Sequence, residues 1–141
     1  MTKILIFTGG RADYGLLSPL IEILKKKFSL SLIISNMHLS KLYGGTSKEI
    51  KRKNFKSIFY VNNLPKGQED VDILKSISIG IKKYSNCIFK ERPKLAIILG
   101  DRYEMLSASI TCFFLKIPML SQELSARFYS KECLSSTSIL Y

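Results

Sequence analysis

The apolar positions of the chain switch repeatedly between two rhythms. Residues 3–8 (KILIFT) form a short continuous run of β-branched and apolar residues, the mark of a strand buried on both faces. Gly9-Gly10-Arg11-Ala12-Asp13 breaks that run. Residues 14–27 then follow helical spacing, with Leu16, Leu20, Ile23 and Leu24 on one face. Lys25-Lys26-Lys27 closes the helix, where positive charge suits the dipole. A second strand is predicted over 30–34 and a loop over 35–45, ending at Gly44-Gly45. Thr46 and Glu49 have the spacing of a capping box. A third strand is predicted over 56–61, followed by a polar loop over 62–68.

A long helix is predicted over 69–91, with the stripe Leu74, Ile77, Ile81, Tyr84 and Ile88. Gly80 weakens it by about 1 kcal/mol relative to alanine, and Pro93 marks its limit. Residues 95–99 (LAIIL) read as the fourth strand. Residues 104–115 are apolar almost all round, so this helix is expected against the sheet. A fifth strand is predicted over 117–120. No internal repeat or linker interrupts the series. Such alternation implies an α/β fold: a Rossmann-like parallel sheet with helices on both faces. In such sheets ligands bind beyond the carboxyl ends of the strands. That singles out the loops at 9–13, 35–45 and 100–104.

Composition narrows the class. At 141 residues the chain suits one domain of ordinary size. Its evenly spread Ile, Leu, Val and Phe exclude disorder. The longest apolar runs are about six residues, far short of a membrane span. No secretory h-region is present, so a cytoplasmic protein with no membrane partner is expected. Cys87, Cys112 and Cys133 have neither zinc-site nor disulfide-framework spacing.

The net charge is +11, from 22 basic and 11 acidic residues. Seventeen of the basic residues are lysines, spread almost evenly, with the densest run at 48–56. No nucleic-acid reader motif accompanies them, so solvated helix faces are the expected reading. A positive field also suits an anionic small molecule.

The candidate chemistry sits in the three loops. Gly9-Gly10 lets a backbone approach a ligand, the helix start beyond it favours an anion, and Arg11 offers a bidentate grip on phosphate. Asp13 could instead cap the helix. The loop lacks both the G-x-G-x-x-G spacing and a P-loop lysine. His38, the one histidine, lies on the ligand side after the second strand, and one histidine cannot build a His-rich metal site. Gly100-Asp101-Arg102-Tyr103-Glu104 follows the most hydrophobic strand, where a partly desolvated carboxylate suits proton transfer. An Asp101–Arg102 surface pair, or Asp101 as an N-cap, is the structural alternative.

The segments KILIFTGGRADYGLLSPLI, NMHLSKLYGGT and LGDRYEMLSASI, in that order, resemble the N-terminal part of the UDP-N-acetylglucosamine 2-epimerases. The likeness runs over residues 2–119 and is strongest to the hydrolysing bacterial branch of sialic-acid and nonulosonic-acid synthesis. It implies one half of a glycosyltransferase-B architecture, with a cleft between two Rossmann-like domains. It also implies elimination of UDP across C1 and C2 of UDP-N-acetylglucosamine, then hydration to N-acetylmannosamine. No cofactor and no metal are implied. By resemblance, Asp101 matches the catalytic aspartate and Arg11 the arginine near the diphosphate. His38 lines the sugar pocket, and Asn36 stands where many members have glycine. Arg102 and Glu104 are further substrate-binding candidates, with a structural role as the alternative.

Beyond Met119 the likeness stops. Related chains continue with a His-x-His-Gly-Gly-Glu segment, whereas this chain has no histidine after His38 and no glycine after Gly100. The expected division is a Rossmann-like domain over 1–120 and a divergent tail over 121–141. A truncated or frame-altered product would account for the tail, and negligible turnover is expected of the chain alone. An exposed half-cleft is compatible with a homo-oligomer. Two other classes stay open. One is the acceptor-binding domain of a split glycosyltransferase. The other is a non-catalytic basic nucleotide- or nucleic-acid-binding module.

Overall fold

The computed structural model describes residues 1–35, 39, 50, 52–100, 102–122 and 139–140. Its elements are β1 (Lys3–Thr8), α1 (Arg11–Leu24), β2 (Ser29–Ser35), β3 (Ser57–Val61), α2 (Asp70–Glu91), β4 (Leu95–Leu99), α3 (Tyr103–Phe114), β5 (Met119–Gln122) and β6 (Ile139–Leu140). A short 3-10 turn, Arg52–Asn54, precedes β3. The strands form one sheet in the order β3-β2-β1-β4-β5-β6. The first five are parallel, and β6 pairs with β5 antiparallel. The α/β architecture expected from the alternation is therefore present. β6 was not expected, and β5 continues to Gln122.

Period-two alternation divides the core in two. Leu5, Phe7, Ile33, Ala96, Ile98 and Met119 face Tyr84 and Ile88 of α2 and Met105, Ala108 and Cys112 of α3. Their strand neighbours Ile4, Ile6, Leu32, Ile34, Ile97 and Leu99 face Tyr14, Leu17 and Ile21 of α1. β1 and β4 are thus apolar on both sides, which is why they read as unbroken apolar runs. Desolvation in this core pushes the Cys112 thiol up to about 12.

Two helix faces differ from expectation. α1 starts at Arg11 and ends at Leu24, three residues earlier at each end than predicted. Its buried stripe is Tyr14, Leu17 and Ile21, whereas Leu16 is 56% and Ile23 65% exposed. The stripe follows i, i+3, i+7. Leu20 and Leu24 flank it, and the two exposed residues fall outside it. Lys25 is the C-cap, and Pro19 sits inside the helix.

In α2 the inward line is Ser76, Gly80, Tyr84, Ile88 and Glu91, while Leu74 is 63% exposed. Gly80 has a positive reason to be glycine. A Cβ there would lie 2.7 Å from Asn63 Nδ2 and 3.0 Å from Ser107 Oγ of α3. The lost helix propensity is exchanged for close packing of α2 on α3. α2 ends at Arg92, in the left-handed region, because Pro93 disfavours helical backbone before it.

α3 starts one residue before its expected limit. Phe113 and Phe114 at its end are exposed, so it is not apolar inward all round. Among the described residues no helix is long and apolar enough to cross a membrane.

Candidate active site at the β1–β4 switch point

The strand order fixes where a ligand site can form. The chain leaves β1 for β2 on one side and returns to β4 on the other. The loops after β1 and β4 therefore diverge, leaving the crevice that ligands occupy in open α/β sheets. β1 and β4 pair in parallel from Ile4–Leu95 to Phe7–Ile98, so both end at the same edge.

The β1 side is built from backbone. Gly10 is the N-cap of α1, with extended backbone and no side-chain cap. Its carbonyl accepts the Tyr14 N–H at 3.1 Å. The first-turn N–H groups and the positive end of the dipole therefore face the crevice. Arg11 is the first helical residue and is exposed. Asp13 is not the N-cap residue. It lies in the first turn, where its Oδ2 stands 3.9 Å from Arg102 Nη2.

The β4 side is built from charge. Gly100 takes φ +108, a backbone that side chains other than glycine rarely adopt. Arg102 is the N-cap of α3, again without a side-chain cap. Its Nε stands 3.0 Å from Glu104 Oε1, forming an ion pair. The Arg102 side chain is 37% exposed, whereas that of Glu104 is 1% exposed.

The two sides interlock. A Cβ on Gly9 would meet Glu104 Oε1 at 2.6 Å, and one on Gly10 would meet Arg102 Nη2 at 2.9 Å. At both positions a Cβ would require the tip of a side chain from the turn after β4 to move. Neither glycine turns the backbone left-handed.

Under the edge lies a buried polar layer. The Ser35 hydroxyl donates to the Thr8 carbonyl at 3.4 Å. The Ser76 hydroxyl donates to the Asn63 carbonyl. Tyr84 is fully buried, and desolvation pushes its phenol well above its ordinary value. The Ser35 and Asn63 side chains oppose that shift, and the Glu104 charge adds to it. Tyr84 thus stays neutral across physiological pH and connects α2 electrostatically to the Arg102–Glu104 turn.

Of the residues singled out from the sequence, the structure gathers Arg11, Arg102 and Glu104 at one edge. His38 and Asp101 lie outside the described residues, as do Asn36, Thr46 and Glu49. The sequence reading missed the Asp13–Arg102 approach and the packing of Glu104 under Gly9. The Gly9-Gly10 pair was the one signal for it, and its partner lies about a hundred residues away. Tyr84 was read as one more apolar stripe residue, and nothing local marks its hydroxyl as part of the polar layer. Chemically, the gathered groups suit an anion: a helix start, one exposed arginine, and a second arginine oriented by carboxylates.

Comparison with known proteins bears on the family and the fold. The family model described as UDP-N-acetylglucosamine 2-epimerase matches residues 22–121. A Campylobacter jejuni GDP/UDP-N,N'-diacetylbacillosamine 2-epimerase (hydrolyzing) is 35% identical over 120 residues, covering 84% of this chain and 31% of that protein. A UDP-N-acetylglucosamine 2-epimerase of Neisseria meningitidis is 34% identical over 111 residues, covering 77% and 29%. The chain thus spans about a third of the length of the curated relatives it matches.

The fold is shared with solved structures. The Neisseria meningitidis UDP-GlcNAc 2-epimerase bound to UDP-GlcNAc superposes with a TM-score of 0.71 at 19% identity, over 96% of this chain and 35% of that one. A putative UDP-N-acetylglucosamine 2-epimerase from Listeria monocytogenes gives a TM-score of 0.72 at 17% identity, over 94% and 33%.

Proposed function

Because the chain belongs to the UDP-N-acetylglucosamine 2-epimerase family, we propose that it forms the diphosphate-facing half of a hydrolysing 2-epimerase site. One observation carries this reading. The start of α1, with Arg11 exposed on it, stands beside the Arg102–Glu104 turn at the β1–β4 switch point. That arrangement suits the β-phosphate of a leaving UDP, whose charge grows as the C1–O bond breaks. The substrate is a UDP-sugar bearing a 2-acetamido group, UDP-N-acetylglucosamine or its diacetylated relative.

In this reading the C2 proton is removed as UDP departs, leaving a C1–C2 double bond. Water then adds its hydroxyl at C1 and a proton returns to C2 from the opposite face. The products are the 2-epimeric sugar and UDP, with one water consumed. Asp101 is the acid/base candidate on this half, and His38 a wall of the sugar pocket. Arg11 and Arg102 hold the diphosphate. Residues 1–120 form the Rossmann-like domain and 121–141 a divergent tail. The remaining acid/base groups belong to the part of the relatives that this chain does not span, so the chain alone binds but does not turn over.

Two measurements test this. Calorimetry of the purified chain with UDP is expected to show binding that weakens as salt rises. Incubation with UDP-N-acetylglucosamine is expected to release no UDP above the uncatalysed rate. Absence of UDP binding at millimolar ligand would defeat the site assignment. Turnover near that of a full-length relative would defeat the claim that half the machinery lies elsewhere.

A further inference from the structure

We infer that Glu104 is a positioning residue: packed against Gly9, it fixes the Arg102 guanidinium at the diphosphate edge. The inference rests on the functional reading above, but its geometry stands apart from it. Glu104 is a carboxylate 1% exposed in the first turn of α3. A charge is rarely taken out of water without a partner, and here the partner is Arg102, with Nε 3.0 Å from Oε1. The carboxylate lies against Gly9, where a side chain would crowd it. A Cβ there would lie 2.6 Å from Oε1 and 3.1 Å from Cγ.

Arg102 is then held from a second element as well. Its Nη2 faces Asp13 of α1 at 3.9 Å and overlies Gly10, where a Cβ would be 2.9 Å away. A guanidinium is planar, so anchoring Nε and facing Nη2 with carboxylates on two helices leaves it little rotation. Arg102 remains 37% exposed, so the oriented cation is still accessible to an anion. Glu104 is too deeply buried to be the group that meets the ligand. Its contribution is pre-organisation: the arginine waits in the binding geometry instead of being ordered on binding.

The test uses the 141-residue chain with Glu104→Gln, Gly9→Ala and the double variant. The first readout is the Arg102 Nε–Hε NMR resonance. A charge-assisted bond to a buried carboxylate should hold it downfield and slow its exchange with water. In Glu104→Gln the resonance is expected to move upfield and exchange at least tenfold faster. Gly9→Ala, which displaces the same carboxylate, is expected to move it in the same direction.

The second readout is UDP affinity, expected to fall about tenfold in each single variant. The double variant should lose no more than the worse single one, because both changes break one contact. An unmoved Arg102 resonance in Glu104→Gln overturns the inference, as do affinity losses that multiply. If Gly9→Ala fails to fold, the Glu104→Gln resonance decides alone. If the wild-type chain does not bind UDP, the functional reading falls while the resonance still decides the positioning role.

Discussion

Three helices of this protein start on the same edge of the sheet, and they start differently. α2 closes its own N-terminus. Glu69 accepts from the N3 backbone, and the Asp72 side chain accepts the Glu69 N–H in return. α1 and α3 begin at Gly10 and Arg102, neither of which caps its helix with its own side chain. A good cap contributes about 1 kcal/mol, so both helices forgo a local stabilisation that α2 takes. The difference follows position. β3, which feeds α2, is at the margin of the sheet, whereas β1 and β4, which feed α1 and α3, flank the switch point. In the proposed reading, the closed start serves the fold, and the other two face the site.

The largest test of this division concerns what α2 does for the site. Tyr84 packs edge-on against Phe7 at 5.3 Å and is fully buried. Tyr84→Ala is expected to cost about 4 kcal/mol of stability, read by chemical denaturation. Tyr84→Phe keeps the ring and should cost about 1 kcal/mol. A Phe variant as damaged as the Ala variant would mean that the hydroxyl, and with it the polar layer, dominates. Next in size is Arg11→Ala. It should weaken UDP binding by tenfold or more, about 1.4 kcal/mol, and leave the unfolding midpoint within a degree or two. A fall in stability without a change in affinity would move α1 to the structural side of the comparison.

Much of the frame is legible in the sequence because its signals are local. KILIFT and LAIIL are recognisable as doubly buried strands from six and five residues, and they fall where the sheet has them. The phase of a helix is less local. α1 carries leucine or isoleucine at 16, 17, 20, 21, 23 and 24. Periodicity therefore establishes that a stripe exists, while the sheet decides that Leu17 and Ile21 form it and Leu16 and Ile23 do not. The site is the least local part. Gly9 and Gly10 advertise a close approach without naming what approaches, and Glu104 and Arg102 come from another βα unit. Three-dimensional pairing of β1 with β4 supplies that information.

Two smaller substitutions bear directly on the contrast between the start of α2 and the other two. Glu69→Ala removes half of the capping box of α2 and is expected to cost about 1 kcal/mol in stability with UDP affinity unchanged. Gly10→Ser does the reverse at α1, by offering a side-chain cap at an N-cap residue that has no side chain. Replacing a glycine N-cap by serine gains only a few tenths of a kcal/mol. The new Cβ would also crowd Arg102 Nη2, which lies 2.9 Å from its position. A net stability change within about 0.5 kcal/mol is therefore expected. The hydroxyl would meanwhile engage a first-turn N–H facing the proposed site, and the arginine would be pushed aside. UDP affinity should fall by about threefold, or roughly 0.7 kcal/mol. Calorimetry and thermal unfolding on the same preparation separate the two effects. If Gly10→Ser stabilises α1 and binds UDP as well as the parent chain, the glycine start of α1 has no functional cause, and the contrast with α2 reduces to loop geometry.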